Sequence, residues 1–235
     1  MSTDLFDSIL CCTSGATAPE NALALTLALA PAQARIVALS VADYTAAAAA
    51  RCGAAAVAEA TEMRARRQHT DAATRLRQRP HAEAVLVEAA IATALRDAVE
   101  MHQPSVVALN GDHPRLAAVA ASLPCALLVA RQARCPRTIT ALLDPGGDGP
   151  TLAVEEGRAL SARLGLPLTI EPEGRLSTSA AASDELVVAC LARPRRRNPL
   201  RRRTRRTALG APHASLLLVP SSTSVQRAAK EGGAS

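Results

Sequence analysis

The feature that most constrains the fold is a regular alternation of short apolar runs with longer Ala-rich segments. Five apolar runs, each four to seven residues long, occupy 8–13, 35–41, 84–87, 105–109 and 125–130. Short apolar runs bounded by turn residues are typical of buried strands. A strand–helix–strand alternation builds parallel sheets, so the sequence predicts an α/β fold with a doubly wound parallel sheet.

The segments between these runs have helical character. Helices are predicted over 20–30, 43–79, 88–102 and 115–122, and Gly53 marks a break in the second of them. Pro19 suits the start of the first helix, because the first backbone N–H of a helix needs no partner within it.

The composition excludes several functions. The chain has one Phe, one Tyr and no Trp among 235 residues. Its core must therefore consist of Ala, Leu, Val and Ile, and binding of single-stranded nucleic acid by base stacking is disfavoured. No signal peptide or bilayer-spanning apolar run is visible, which predicts a cytoplasmic protein.

After about residue 132 the pattern restarts. Apolar runs recur at 138–143, 166–170, 185–190 and 215–219, with a helical segment at 152–164. Too little chain lies between 170 and 185 for a long helix, a strand and a second helix. The interpretation is an internal duplication with a truncated second copy. The predicted divisions are a first copy over 1–132, a second over 133–222 and a tail over 223–235.

This duplicated pattern resembles the universal stress protein family. The resemblance rests on the element order and on two closing strands, each preceded by a Pro-containing turn: Leu123-Pro124-Cys125 and, more weakly, Ala211-Pro212-His213. It implies an adenine-nucleotide α-hydrolase-like fold, here as two tandem copies. It also implies a stress-response role for a regulatory protein that is not an enzyme.

Family members that bind ATP use an Asp after the first strand for the adenosine and a glycine-rich loop for the phosphates. In the first copy Ser14 stands at the Asp position, and Gly111 matches only the first glycine. The 12 residues between Gly111 and Pro124 are too few for both a phosphate loop and a helix.

In the second copy Asp144 matches the family's Asp. Arginines replace the loop glycines, and the residues standing in the loop are Arg193, Arg203 and Thr204. Glycine permits the positive φ and close backbone approach that a phosphate loop needs, and arginine does not. The resemblance therefore implies that nucleotide binding is lost or weak. An alternative is an ATP or AMP sensor that uses Asp144 and the arginine-rich loop.

The segment 193–206 holds nine arginines, and without them the net charge of +6 would turn negative. Guanidinium groups bind phosphate in a bidentate manner, so this loop is a candidate anion or partner patch. The remaining patch residues are Arg195, Arg196, Arg197, Arg201, Arg202, Arg205 and Arg206. A second alternative is thus a basic adaptor for a transporter domain, anionic lipid or nucleic acid. A solvated loop in an Arg-rich chain is the plainer interpretation.

Several polar residues and cysteines have a structural rather than a functional interpretation. Asp144 could simply cap the next helix. His113 and His213 are isolated, and no Cys/His spacing suits zinc, so no metal site is predicted. Cys11 and Cys12 fit core positions better than redox roles. No nucleophile with a neighbouring base is visible, and no cofactor is required. A homodimer through the terminal strands or another protein partner fits this pattern.

Overall fold

The computed structural model describes residues 5–14, 20–50, 52–112, 123–143, 152–172, 184–191 and 214–220. The chain divides into two compact units, Met1–Leu116 and Ala117–Ser235. The predicted helix over 115–122 and the predicted tail lie outside the described residues. The copy boundary at 132 stays a prediction.

The first unit alternates strands and helices in the predicted order. Its strands are β1 (Ser8–Cys12), β2 (Arg35–Ala42), β3 (Ala82–Glu88) and β4 (Val106–Asn110). Its helices are α1 (Glu20–Leu29), α2 (Thr45–Ala49), α3 (Ala54–Leu76) and α4 (Ile91–His102).

These four strands are parallel and lie in the order β3-β2-β1-β4. The strands β1 and β4 are almost fully buried, and Phe6 joins the aliphatic core beside them. This agrees with the near-continuous apolar runs, since a parallel sheet covered on both faces leaves no polar side. The fold class predicted from the alternation is confirmed.

Two boundaries differ from the sequence prediction. The long predicted helix is two helices, and Gly53 between them adopts φ 73°, a conformation that suits glycine. The helix predicted from residue 88 begins only at Ile91, because β3 continues its pairing with β2 up to Glu88. Register with a neighbouring strand decided this boundary, and local sequence does not encode it.

The second unit contains five strands and one helix among its described residues. They are β5 (Ala126–Ala130), β6 (Thr138–Leu143), α5 (Leu152–Leu164), β7 (Leu168–Pro172), β8 (Glu185–Leu191) and β9 (Ser215–Pro220). The strand order is β5-β9-β8-β6-β7. The pairs β6–β7, β6–β8 and β8–β9 are parallel.

The strands β5 and β9 pair antiparallel, with Leu128 opposite Leu217. The strand pairs of this unit are therefore parallel except for this one. The two apolar runs that form β5 and β9, 125–130 and 215–219, thus run in opposite directions. Consecutive apolar residues in both strands allow this pairing, but no local signal sets its direction.

Helix α5 lies unusually close to its sheet at Gly157. A Cβ atom at Gly157 would come 3.0 Å from Cβ of Ala141 and 3.4 Å from Cδ1 of Leu168. Glycine is thus needed here for close packing. Among the described helices, none combines the length and apolarity that crossing a bilayer requires.

Candidate functional site

In the first unit the candidate site lies at the carboxyl edge of the sheet, between β1 and β4. The chain leaves β1 to form β2 on one side, and β4 lies on the other side. Open α/β sheets bind ligands in the crevice at such a topological switch point. The residues that follow β1 and those that end β4 are therefore the ones to inspect.

Ser14 follows β1 and is 3% exposed. The Val41 N–H of β2 donates a hydrogen bond to Ser14 Oγ, and the hydroxyl lies 3.3 Å from Oε1 of Gln68 in α3, to which it donates. The Thr13 N–H donates to the Leu39 carbonyl at 3.0 Å, so the Ser14 side chain extends the β1–β2 ladder beyond that bond. The Ser14 hydroxyl thus joins two strands and a helix and is fully used within the chain.

Asn110 ends β4 and is 1% exposed. The Ala22 N–H, in the first turn of α1, donates to Asn110 Oδ1 at 3.0 Å. Backbone N–H groups at a helix N-terminus after the first strand are the groups that hold a phosphate in nucleotide-binding α/β proteins. Here a neutral amide oxygen of the same chain accepts from one of them.

Asp43 plays the same part at the end of β2. Its Oδ2 accepts from the Ile91 N–H of α4 at 3.0 Å, and its Oδ1 accepts from the Thr45 N–H at 3.0 Å. This carboxylate therefore caps α4 and orders the turn before α2. It is not free to contact a ligand.

Three main-chain donors near the crevice are thus paired with side chains of the protein itself: Val41, Ala22 and Ile91. A nearby polar pair, Thr13 Oγ1 and Ser40 Oγ, is also closed, at 2.9 Å. Gly111 follows Asn110 in a turn. A ligand that used these three donors would have to compete with the internal acceptors.

In the second unit the switch point lies between β6 and β8, which are parallel neighbours. They end at Leu143 and Leu191, so Asp144 and the arginine-rich segment follow adjacent strand ends in sequence. The predicted site residues themselves lie outside the described part of the chain: Asp144, Arg193, Arg195, Arg196, Arg197, Arg201, Arg202, Arg203, Thr204, Arg205 and Arg206. His113 and His213 lie outside it too.

The paired cysteines of β1 are core residues. Cys11 and Cys12 are fully buried. Burial raises the pKa of the Cys11 thiol, and the neighbouring Cys12 raises it further. Burial also raises the pKa of Cys12 to about 11, partly offset by a hydrogen bond from the backbone of Ser14. Neither is a thiolate near neutral pH, which agrees with the core interpretation.

The described residues offer little other chemistry. No group of three or more His, Cys, Asp and Glu side chains that could hold a metal ion occurs among them. Sequence reasoning overlooked Gln68, although it is a polar residue on the apolar stripe formed by Ala65, Ala72 and Leu76. It also gave Asn110 no role, because the partner of Asn110 is 88 positions away.

Strand order and crevice together define an α/β protein with a mostly parallel sheet. No family model matches the chain, and no curated protein matches it. Two solved structures are similar over almost all of both chains.

One is the functionally unknown protein PA1789 from Pseudomonas aeruginosa PAO1, with TM-score 0.57, 13% identity and 98% of each chain covered. The other is called a "Putative Universal Stress Protein", from Pseudomonas aeruginosa UCBPP-PA14. Its TM-score is 0.57 and its identity 13%, over 97% of this chain and 98% of that one. At this identity the likeness concerns the fold.

Proposed function

We propose that this chain is a non-enzymatic regulatory or interaction protein whose first unit has lost nucleotide binding. The observation that carries the proposal is the internal pairing of the crevice. Ser14 occupies the Val41 N–H and Asn110 occupies the Ala22 N–H. Displacing a buried acceptor without replacing it costs about 1–3 kcal/mol, and a nucleotide would have to displace both.

The proposal includes an ancestry as two tandem copies. In the first unit β1 lies between β2 and β4, and in the second β6 lies between β7 and β8. These neighbours occupy matching places in the repeated sequence pattern. The second unit has no described counterpart of β3 and α3, in keeping with a shortened copy. The antiparallel β5–β9 pair is the arrangement expected when the last strands of two copies meet around a twofold axis.

The test is nucleotide binding by the full chain. We expect isothermal titration with ATP and AMP to give no defined stoichiometry, and millimolar ATP to leave the melting temperature unchanged. A ligand at 100 times its dissociation constant would add about 2.7 kcal/mol of stability. Because the chain has no Trp and one Tyr, co-purified adenine would dominate its ultraviolet absorbance. Micromolar binding at one defined site that persists in Asp144→Ala would overturn the loss in the first unit.

A second candidate function is a nucleotide sensor confined to the second unit. It is favoured by the adjacency of β6 and β8, whose ends precede Asp144 and the arginine-rich segment. Asp144 would hold the adenosine, and Arg193, Arg203 and Thr204 would hold phosphate.

This candidate predicts that ATP raises the melting temperature and that Asp144→Ala removes the rise. The matched control is Ser14→Ala, at the corresponding place in the first unit, which should keep it. A rise that survives Asp144→Ala would reject the sensor. The adaptor role of the arginine-rich segment stays a prediction.

A further inference from the structure

The outer edge of β3 is an open strand edge in the described part of the first unit. β3 ends the strand order there and pairs with β2 alone. The Ile36 N–H donates to the His81 carbonyl at 3.1 Å. This bond fixes which residues of β3 direct their backbone groups towards β2 and which direct them away from it. It follows that the N–H groups of Ala84, Leu86 and Glu88 point away from β2. The Ala82 N–H is turned to the Arg79 carbonyl at 3.3 Å.

The three consecutive apolar side chains in the second half of this edge strand are incompletely covered, and exposed glutamates, Glu83 and Glu88, lie on either side of them. Val85, Leu86 and Val87 are each half-buried, whereas the corresponding residues of β2 are buried. Helix α3 packs on β2 and β3, while α4 packs on β1 and β2. The apolar side chains of β3 therefore lie at the edge of the sheet, next to the outward backbone N–H groups of the same strand.

The edge strand of the second unit, β7, shows how an edge is protected. The Ile139 N–H donates to the Pro167 carbonyl at 3.0 Å. The backbone groups of Leu168, Ile170 and Pro172 therefore point away from β6. Pro172 has no N–H to offer, and β7 has five residues against seven in β3. Proline and shortness are common ways of preventing edge-to-edge pairing. β3 has neither of them.

The helix beside β3 has an uneven charge distribution. The amino-terminal part of α3 carries Glu59 and Glu62, whereas its carboxyl-terminal part is mainly basic despite Asp71. The basic residues are Arg64, Arg66, Arg67 and Arg75, and Arg66 forms an ion pair with Glu62 of the same helix at 2.6 Å. Two such helices lying antiparallel would place the acidic part of each beside the basic part of the other.

We propose that two copies of this chain form a twofold dimer by antiparallel pairing of their β3 edges. In the register centred on Val85, this residue faces its own equivalent, Ala84 faces Leu86, and Glu83 faces Val87. No two glutamates of the strand then lie opposite each other, and like charges directly opposite would be destabilising. The antiparallel α3 helices beside the joined edges add complementary charge. This inference is independent of the proposed function.

The first test uses the full chain in sedimentation velocity over a concentration series. The wild type should show a reversible monomer–dimer equilibrium. Leu86→Pro should be monomeric, because the N–H that it removes points outward and the β2–β3 ladder keeps its bonds. The matched control is Ile170→Pro, which makes the same change at an outward position of β7 and should leave the dimer intact.

A second test keeps the backbone unchanged. Glu59→Arg with Glu62→Arg should raise the dimer dissociation constant about tenfold at low salt, and adding Arg64→Glu with Arg67→Glu should restore it. These side chains are exposed or half-buried on α3, so the variants decide the matter even if Leu86→Pro fails to fold. A monomeric wild type, a dimer indifferent to both sets of changes, or a dimer dissolved by Ile170→Pro would overturn the proposal.

Discussion

Each unit has a strand with a parallel neighbour on both sides, β1 between β2 and β4 in the first unit and β6 between β7 and β8 in the second, but the outer edges of the two units differ. In the first unit, Ser14 and Asn110 fill main-chain donors at the switch point, while the outer strand β3 is long and open. In the second unit the outer strand β7 is short and ends in Pro172. Helix α5 of this unit packs closely against the sheet at Gly157. Side chains of the chain itself can thus occupy main-chain donors at a switch point while the sheet stays intact.

The comparison teaches that a crevice can be closed by residues distant in sequence. Gln68 and Asn110 reach Ser14 and Ala22 across 54 and 88 positions respectively. Such closure also stabilises the fold, because it ties α3 and α1 to the sheet. Arg79 adds a similar tie, since its guanidinium donates to the Leu27 carbonyl at 2.9 Å and the Pro31 carbonyl at 2.7 Å near the end of α1.

The largest expected effect tests the close packing of the second unit. Gly157→Val should destabilise the protein by about 3 kcal/mol, because its side chain would overlap Ala141 and Leu168 and force α5 outward. Urea unfolding monitored by circular dichroism measures the loss. The control is Ala159→Val, which adds a branched side chain at an exposed position of the same helix and should cost about 0.5 kcal/mol. Equal losses in both variants would contradict the packing argument.

An intermediate effect tests the closed crevice of the first unit. Ser14→Ala removes the acceptor of the Val41 N–H and the donor to Gln68, both of which are buried, and should cost about 2 kcal/mol. Hydrogen exchange should show faster exchange at the Val41 amide in particular.

The control is Thr70→Ala, which removes a hydroxyl bonded to the Arg66 carbonyl at an exposed site of α3. Its effect should stay within about 0.5 kcal/mol. Unchanged exchange at Val41 in Ser14→Ala would mean that the hydroxyl does not close the crevice.

The smallest effect concerns the cysteines. Cys52 and Cys135 are exposed and should react with a thiol reagent at pH 8 in the native protein, whereas Cys11 and Cys12 should react only after unfolding. The raised pKa of Cys12, from 9.0 to about 11, means that the native thiol keeps its proton where the unfolded thiol loses it. The stability that the protonated Cys12 thiol contributes is therefore present below pH 9 and falls as the pH rises towards 11.

Measuring unfolding free energy between pH 8 and pH 11 checks this sign. Cys12→Ala should make the decline shallower, since alanine does not titrate, and the buried thiol of Cys11 should account for part of what remains. Rapid native labelling of Cys12 would show that β1 is less protected than the burial of its side chains indicates.

The sequence anticipated the elements well because their cause is local. Apolar runs between turn residues placed all nine described strands, and Gly53 marked the break before α3. It did not anticipate the partners of Ser14 and Asn110, since long-range hydrogen bonds leave no periodic signal. Nor did it give the direction of β5 against β9, because an apolar strand can pair either way.

By itself, the sequence determined the alternation of strands and helices, the aromatic-poor core and the arginine-rich composition of 193–206. The tertiary structure alone decided that the first crevice is filled by Ser14 and Asn110, that β3 is left as an open edge and that Gly157 must be small. Apolar periodicity reports which side chains must avoid water, and that is a property of neighbours along the chain. Which donor meets which acceptor depends on strand order and register, which exist only after the chain has folded.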